Sequence, residues 1–167
     1  NQTVAIVLTN RVHPFRNTPS INPIRRTFAR DVGDSIPINV KKGQMAWFAG
    51  YGDQLDNTLS AQVNVKRDAF LSFDTWFRIE EESDYGYLET STDGKAFTSI
   101  KSFTGKSNVW EKENVLIPAG TKFIRFSYKT DESVNGRGWY VQDASIKTNG
   151  KKERLTFESN GFERRTD

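Results

Sequence analysis

Residues 69–103 read AFLSFDTWFRIEEESDYGYLETSTDGKAFTSIKSF. In the first third, Leu71, Phe73, Phe77 and Ile79 fall on one side and Ser72, Asp74, Arg78 and Glu80 on the other. This period of two is that of a half-buried antiparallel strand. Thr92-Asp93-Gly94-Lys95 predicts a hairpin with a two-residue type I′ turn, because Asp-Gly accepts positive φ at little cost. The segment thus reads as strand, acidic turn, strand, tight turn, strand. Its acidic turn gathers Glu80, Glu81, Glu82 and Asp84, carboxylates that repel one another unless they are solvated, paired with cations or bound to a metal.

The same pattern extends outward. Ala46–Ala49 reads as a strand, followed by the loop Gly50-Tyr51-Gly52-Asp53. Leu59, Ala61, Val63 and Val65 alternate through Thr58–Val65. Val109–Ile117 is a strand ended by Pro118-Ala119-Gly120, and Phe123–Tyr128 and Trp139–Ile146 are two more. Short strands at regular spacing with turn signals between them predict a mainly β fold, an antiparallel jelly-roll-like β-sandwich over residues 36–150. Leu155–Phe162 reads as an edge strand or the opening of a further segment, within a tail of 151–167. At the other end, Thr3–Thr9 reads as a buried strand and 10–19 as a loop. Residues 21–32 read as a helix with Ile24, Phe28 and Val32 on one face and Gly33 as its stop. Residues 1–35 form a short strand-helix appendage to the sandwich.

The length of 167 residues suits one domain with an appendage, and an aromatic content of 13% supplies a core. There is no cysteine, which excludes disulfides, thiol catalysis and cysteine-zinc sites. No apolar run is long enough to span a membrane. Residues 1–45 carry seven Lys/Arg against two Asp/Glu, a net of +5, whereas 46–150 carry twelve against fifteen, a net of −3. The β-rich part is therefore acidic, and the basic stripe that nucleic-acid binding requires is missing from it.

Two family resemblances follow from particular residues. WFAGYGDQLDNTLSAQV (47–63), LSFDTWFRIEEESDYGYLETSTDG (71–94) and GWYVQDASI (138–146) resemble the MAM-like jelly-roll accessory domains attached to immune inhibitor A-type metallopeptidases and other secreted bacterial hydrolases. The resemblance covers about 45–148. It implies a secreted accessory module, structural calcium, and binding of a glycan or protein surface. Such domains often carry two adjacent acids in the last strand, where this chain has Gln142-Asp143. AIVLTNRVHPFRNTPSINPIRR (5–26) is similar to the last strand and closing helix of class C-like serine hydrolases of the β-lactamase type. That resemblance covers about 3–32 and implies an upstream serine-hydrolase domain as partner. The Ser-x-x-Lys, Tyr-x-Asn and Lys/His-Thr-Gly elements of that family do not occur here in matching context.

No catalytic set is evident. His13 is the only histidine, so H-E-x-x-H is excluded, and no G-x-S-x-G elbow accompanies it. A glycosidase pair built on Glu80 or Asp84 has no identifiable second carboxylate. Calcium, which takes six to eight oxygen ligands, is the sharper expectation. Asp53 and Asp56 sit in or beside a Gly-rich loop. Asp143 runs in phase with Trp139 and Val141 and is expected to face inward, where a carboxylate needs a cation or several hydrogen-bond donors. Glu80 and Asp84 are secondary metal candidates. The competing reading for Asp143 is a salt bridge to Arg78, Arg125 or Arg137, or hydrogen bonds to loop amides. Trp76, Tyr85 and Tyr87 are the candidates for a ligand-binding aromatic surface, against the alternative of core or cross-strand packing. The expected function is a non-catalytic module of a secreted bacterial serine hydrolase. The alternative is the C-terminal piece of a nicked β-lactamase-fold hydrolase completed by another chain.

Overall fold

The computed structural model describes residues 6, 22–36, 38–40, 44–148 and 150–166. The chain divides into two compact units, Asn1–Ile38 and Asn39–Asp167. In the first, α1 spans Asn22–Asp34. It runs past Gly33, and its end is tied by Ser35, whose Oγ donates to the Val32 carbonyl at 2.7 Å and whose N–H donates to Asp31 at 3.0 Å. Ile24 and Phe28, expected to share a buried face, are 59% and 39% exposed. The strand expected over Thr3–Thr9 and the loop around His13 lie outside the described residues, apart from residue 6.

The second unit is built from β1 (Ala46–Phe48), β2 (Asp56–Gln62), β3 (Ala69–Arg78), β4 (Tyr85–Ser91), β5 (Thr98–Phe103), β6 (Glu111–Ile117), β7 (Phe123–Lys129), β8 (Gly138–Thr148), β9 (Lys151–Arg154), β10 (Glu158–Asn160) and β11 (Glu163–Arg165). One sheet has the order β11-β1-β8-β3-β6, with β9 paired to β8; the other has the order β10-β2-β7-β4-β5. All of these strand pairings are antiparallel. Strands 1-8-3-6 facing 2-7-4-5 are the two four-stranded layers of a jelly roll. The last three strands add to these layers: β11 pairs with β1 and β10 with β2, on the flanks of the two sheets.

The alternation read in residues 69–79 holds. Leu71, Phe73, Phe77 and Ile79 are buried in the core, where Leu59, Leu88, Ile124, Phe126, Trp139 and Val141 join them. Trp139 is fully buried. Its indole Nε1 donates to Thr75 Oγ1 at 2.7 Å, and that hydroxyl donates to the Tyr140 carbonyl at 3.0 Å, so a large aromatic side chain enters the core with its polar atom satisfied. Across the sandwich the ring lies against Gly86 of β4. A Cβ there would stand 2.6–2.9 Å from ring carbons of Trp139.

The turn at 92–97 differs from the expected hairpin. Gly94 has φ +75°, but Asp93 is not in the positive-φ region, and the strands part over six residues rather than two. Asp93 organises this wider loop instead. Its Oδ1 accepts from the N–H groups of Lys95 at 2.8 Å and Ala96 at 3.0 Å, and from the Ser91 hydroxyl at 3.0 Å. The reason is tertiary. Gly94 closes on the Phe123 ring, and Phe97 lies beneath the Arg125 guanidinium, 3.7 Å from its centroid.

Two outcomes are expected. Gly86→Ala should destabilise the sandwich by about 1–3 kcal/mol through overpacking, read by urea unfolding. The hydrogen bonds to Asp93 hold its carboxyl below the ordinary 3.8. Its contribution is therefore present above the unfolded pKa and lost as pH falls through the depressed folded one. The amide resonances of Lys95 and Ala96 should report that titration below pH 3.8.

Candidate metal centre where the loops converge

Four loops meet at one place: 49–55 between β1 and β2, 79–84 between β3 and β4, 104–110 between β5 and β6, and 130–137 between β7 and β8. Backbone and hydroxyl groups lace them together. Thr130 Oγ1 accepts from Leu55 N–H at 2.8 Å and donates to the Gly52 carbonyl at 2.7 Å. Gln54 N–H donates to the Asp131 carbonyl at 2.6 Å. Thr104 Oγ1 donates to the Glu80 carbonyl at 3.0 Å and accepts from Glu82 N–H at 3.1 Å. Strain gathers in the same loops: Gln54, Glu82 and Val134 all have φ between 56° and 66°. Side chains with a Cβ rarely take that conformation, a β-branched one least of all.

Glu80, Asp84 and Asp131 each bring a carboxylate oxygen within 4.8 Å of the others. The β4–β7 register pairs Tyr85 with Lys129, which sets Asp84 and the residues after β7 side by side. Asp84 is completely buried. Its Oδ1 accepts from Asp131 N–H at 2.9 Å, while Oδ2 and Glu80 Oε2 are buried with no hydrogen-bond partner among the described residues. Burial, with the charges of Asp131, Glu80 and Asp53 adding to it, pushes the Asp84 carboxyl above 3.8, against the pull of the Asp131 amide. A hard divalent cation would relieve both the repulsion and the unmet acceptors. The all-oxygen donor set, augmented by loop carbonyls, fits calcium.

The other sequence-derived candidates fall elsewhere. Asp53 is exposed and accepts from Asn135 Nδ2, close enough to the triad for its charge to act on Asp84. Asp56 points to solvent at the start of β2 and pairs with Lys129 at 3.7 Å. Asp143 does not follow Trp139 and Val141 into the core. The β3–β8 register slips between Ser72 and Asp74, Asp143 takes φ 54°, and the bulge turns its side chain outward, where Arg154 meets it at 3.3 Å. Among the described residues Arg154 is an ion-pair partner of Asp143, and the inward alternation resumes at Ala144 and Ile146. Asp131 carried no sequence signal of its own, because only the register of β4 on β7 reveals it.

The three aromatic candidates do not share a surface. Tyr85 and Tyr87 stack on one another on the outer face of the second sheet, with centroids 5.6 Å apart and planes 20° apart. Trp76 lies on the outer face of the first sheet, edge-on to Tyr140 at 5.9 Å with Arg137 over its ring.

No protein-family model matches the chain. The chain is similar to bacillopeptidase F of Bacillus subtilis, with 33% identity over 88 residues that cover 49% of this chain and 6% of that protein. It is also similar to the pre-pro-metalloprotease PrtV of Vibrio cholerae, with 25% identity over 131 residues, 69% of this chain and 14% of that protein. The chain thus corresponds to a small part of each peptidase. Among solved structures, the cleaved adhesin domain of Lys-gingipain from Porphyromonas gingivalis aligns with a TM-score of 0.50 and 20% identity, covering 64% of this chain and 73% of that one. At this identity the likeness is one of fold. The two peptidase relatives agree with the broader expectation of a peptidase accessory region. None of the three is a β-lactamase-type hydrolase by name, and they give no support to that reading of residues 3–32.

Replacing Asp84 separates the cost of its charge from its hydrogen bond. In chelator, Asp84→Asn should raise stability by about 1 kcal/mol, since Oδ1 still accepts from Asp131 while the buried charge is gone. Thermal melts in EDTA at neutral pH check this.

Proposed function

We propose that this chain is a non-catalytic jelly-roll module carried by a secreted peptidase, made rigid by a structural calcium ion held by Glu80, Asp84 and Asp131. The buried Asp84 carboxylate, with one oxygen unmet beside two further acids, carries the reading. A charge so placed is destabilising unless a cation joins it. Calcium bound there would tie the β3–β4 loop to the β7–β8 loop. Its chemistry is charge neutralisation, which brings no reaction. Peptidase relatives far longer than this chain support the accessory role.

The module serves to hold its parent against a glycan or protein surface outside the cell. The stacked Tyr85–Tyr87 pair offers one aromatic platform for that contact, and Trp76 another on the opposite face. The similarity of residues 3–32 to the closing elements of a β-lactamase-type domain would make the catalytic neighbour a serine hydrolase.

Calcium at a hundredfold excess over its dissociation constant should stabilise the protein by about 2.7 kcal/mol. Asp84→Asn should abolish that response, so that wild type is the more stable protein in calcium and the variant the more stable in EDTA. Identical melting curves with and without calcium would remove the metal from the reading. Release of peptides from casein by the purified chain would remove the non-catalytic role.

A further inference from the structure

The sequence holds three Asn-Gly pairs, at 135–136, 149–150 and 160–161. An asparagine followed by glycine is prone to close on itself. The glycine nitrogen has no side chain beside it to shield its approach to the asparagine side-chain carbonyl. In a folded protein, reaction depends on the freedom of that nitrogen and on what surrounds the side-chain amide. Asn149 lies outside the described residues. The other two pairs differ in both respects.

Asn160 is the last residue of β10, opposite Thr58. Gly161 bridges to Thr58 as well, and its carbonyl accepts from Asn57 Nδ2 at 3.4 Å. The backbone on both sides of the reacting bond is thus tied to β2. Asn135 is exposed and sits in the loop between β7 and β8. The N–H of Gly136 makes no hydrogen bond among the described residues. The neighbouring loop grips the side-chain amide instead. Gly52 N–H donates to Asn135 Oδ1 at 3.1 Å, and Asn135 Nδ2 donates to Asp53 Oδ1. The fold also demands the glycine, because a Cβ on Gly136 would collide with the Arg78 carbonyl. Steric need at one residue therefore imposes the reactive pair, and the β1–β2 loop supplies a donor where charge develops on attack.

We infer that Asn135 is a site of spontaneous succinimide formation, and that its conversion unlatches the β7–β8 loop from the β1–β2 loop. The Gly136 nitrogen gives up its proton to solvent and attacks Asn135 Cγ. Closure of the five-membered ring displaces Nδ2, which takes a proton from water and leaves as ammonia. Negative charge gathers on Oδ1 during the attack. The Gly52 N–H already points at that oxygen, at the distance of an oxyanion donor. Water then opens the ring. Addition at Cγ yields aspartate, and addition at the main-chain carbonyl yields isoaspartate, with an extra carbon in the backbone. The net change is one water consumed and one ammonia released. Either product loses the amide that donated to Asp53 and gains a negative charge beside it, so an attraction between the loops becomes a repulsion. None of these residues belongs to the acidic triad, so the inference stands apart from the calcium reading.

The test ages the purified chain in mildly alkaline buffer with EDTA, once folded and once in urea. Tryptic peptides are then read by mass spectrometry for a gain of one mass unit and for isoaspartate. In urea Asn135 and Asn160 should convert at similar rates. In the folded chain Asn135 should convert about tenfold faster than Asn160. Asn135→Gln, whose longer side chain closes a ring far more slowly, should abolish the gain in its peptide. Asn135→Asp should lower the melting temperature. Adding Asp53→Asn to it should restore that temperature, because the swap returns a donor and an acceptor to the two positions. Equal conversion of Asn135 and Asn160 in the folded chain would overturn the proposal. So would the absence of conversion at Asn135, which would show that its hydrogen bonds lock the amide. An unchanged melting temperature in Asn135→Asp would overturn the unlatching.

Discussion

The sandwich depends on one side chain, Trp139. It comes from the first sheet yet packs against rings of the second, Phe126 at 5.7 Å and Tyr128 at 6.5 Å, as well as Phe103 of β5 and Phe162 beyond β10. Its one polar atom is answered inside its own sheet by Thr75. The opposing strand gives it Gly86, where any side chain would collide. Two layers of alternating apolar residues would form some sandwich in any case. The indole, its hydroxyl partner and the glycine facing it fix how the layers approach and which residues reach the loop end.

That fixed approach explains why strained loops and buried charge persist at the converging loops. Tyr128, fully buried one residue from the end of β7, keeps its proton: burial pushes its phenol pKa up, and the Asp84 carboxylate pushes it further. The aromatic core therefore runs directly into the acidic triad, and the triad's positions are inherited from strand register.

Much of this fold is legible in alternation alone. Residues 69–79 announce a half-buried strand, and the structure keeps each apolar side chain where the period puts it. The misreadings have physical causes. Asp93-Gly94 carries the local chemistry of a tight hairpin, but packing of Phe97 under Arg125 and of Gly94 on Phe123 favours a six-residue loop. Asp143 is in phase with two core residues. A single bulge inserts one residue into β8, and neither glycine nor proline marks it. The acidic turn offers Glu80 and Asp84 as metal candidates but not their third partner, because Asp131 arrives from the loop after β7, 47 residues beyond Asp84. Pairings between distant strands are the information that local patterns lack.

The flanking strands β10 and β11 lie between residues 158 and 165, yet they complete the sheets begun by β1 and β2 near residues 46–62. On the ribosome, neither early strand can acquire its outer neighbour until the last residues of the sandwich have been synthesised and released. Until then the nascent chain presents two unpaired edges, the condition in which β proteins pair with the wrong partner. This topology makes late closure a property of the fold. It places the burden of keeping the unfinished module apart from its neighbours on whatever accompanies it during synthesis.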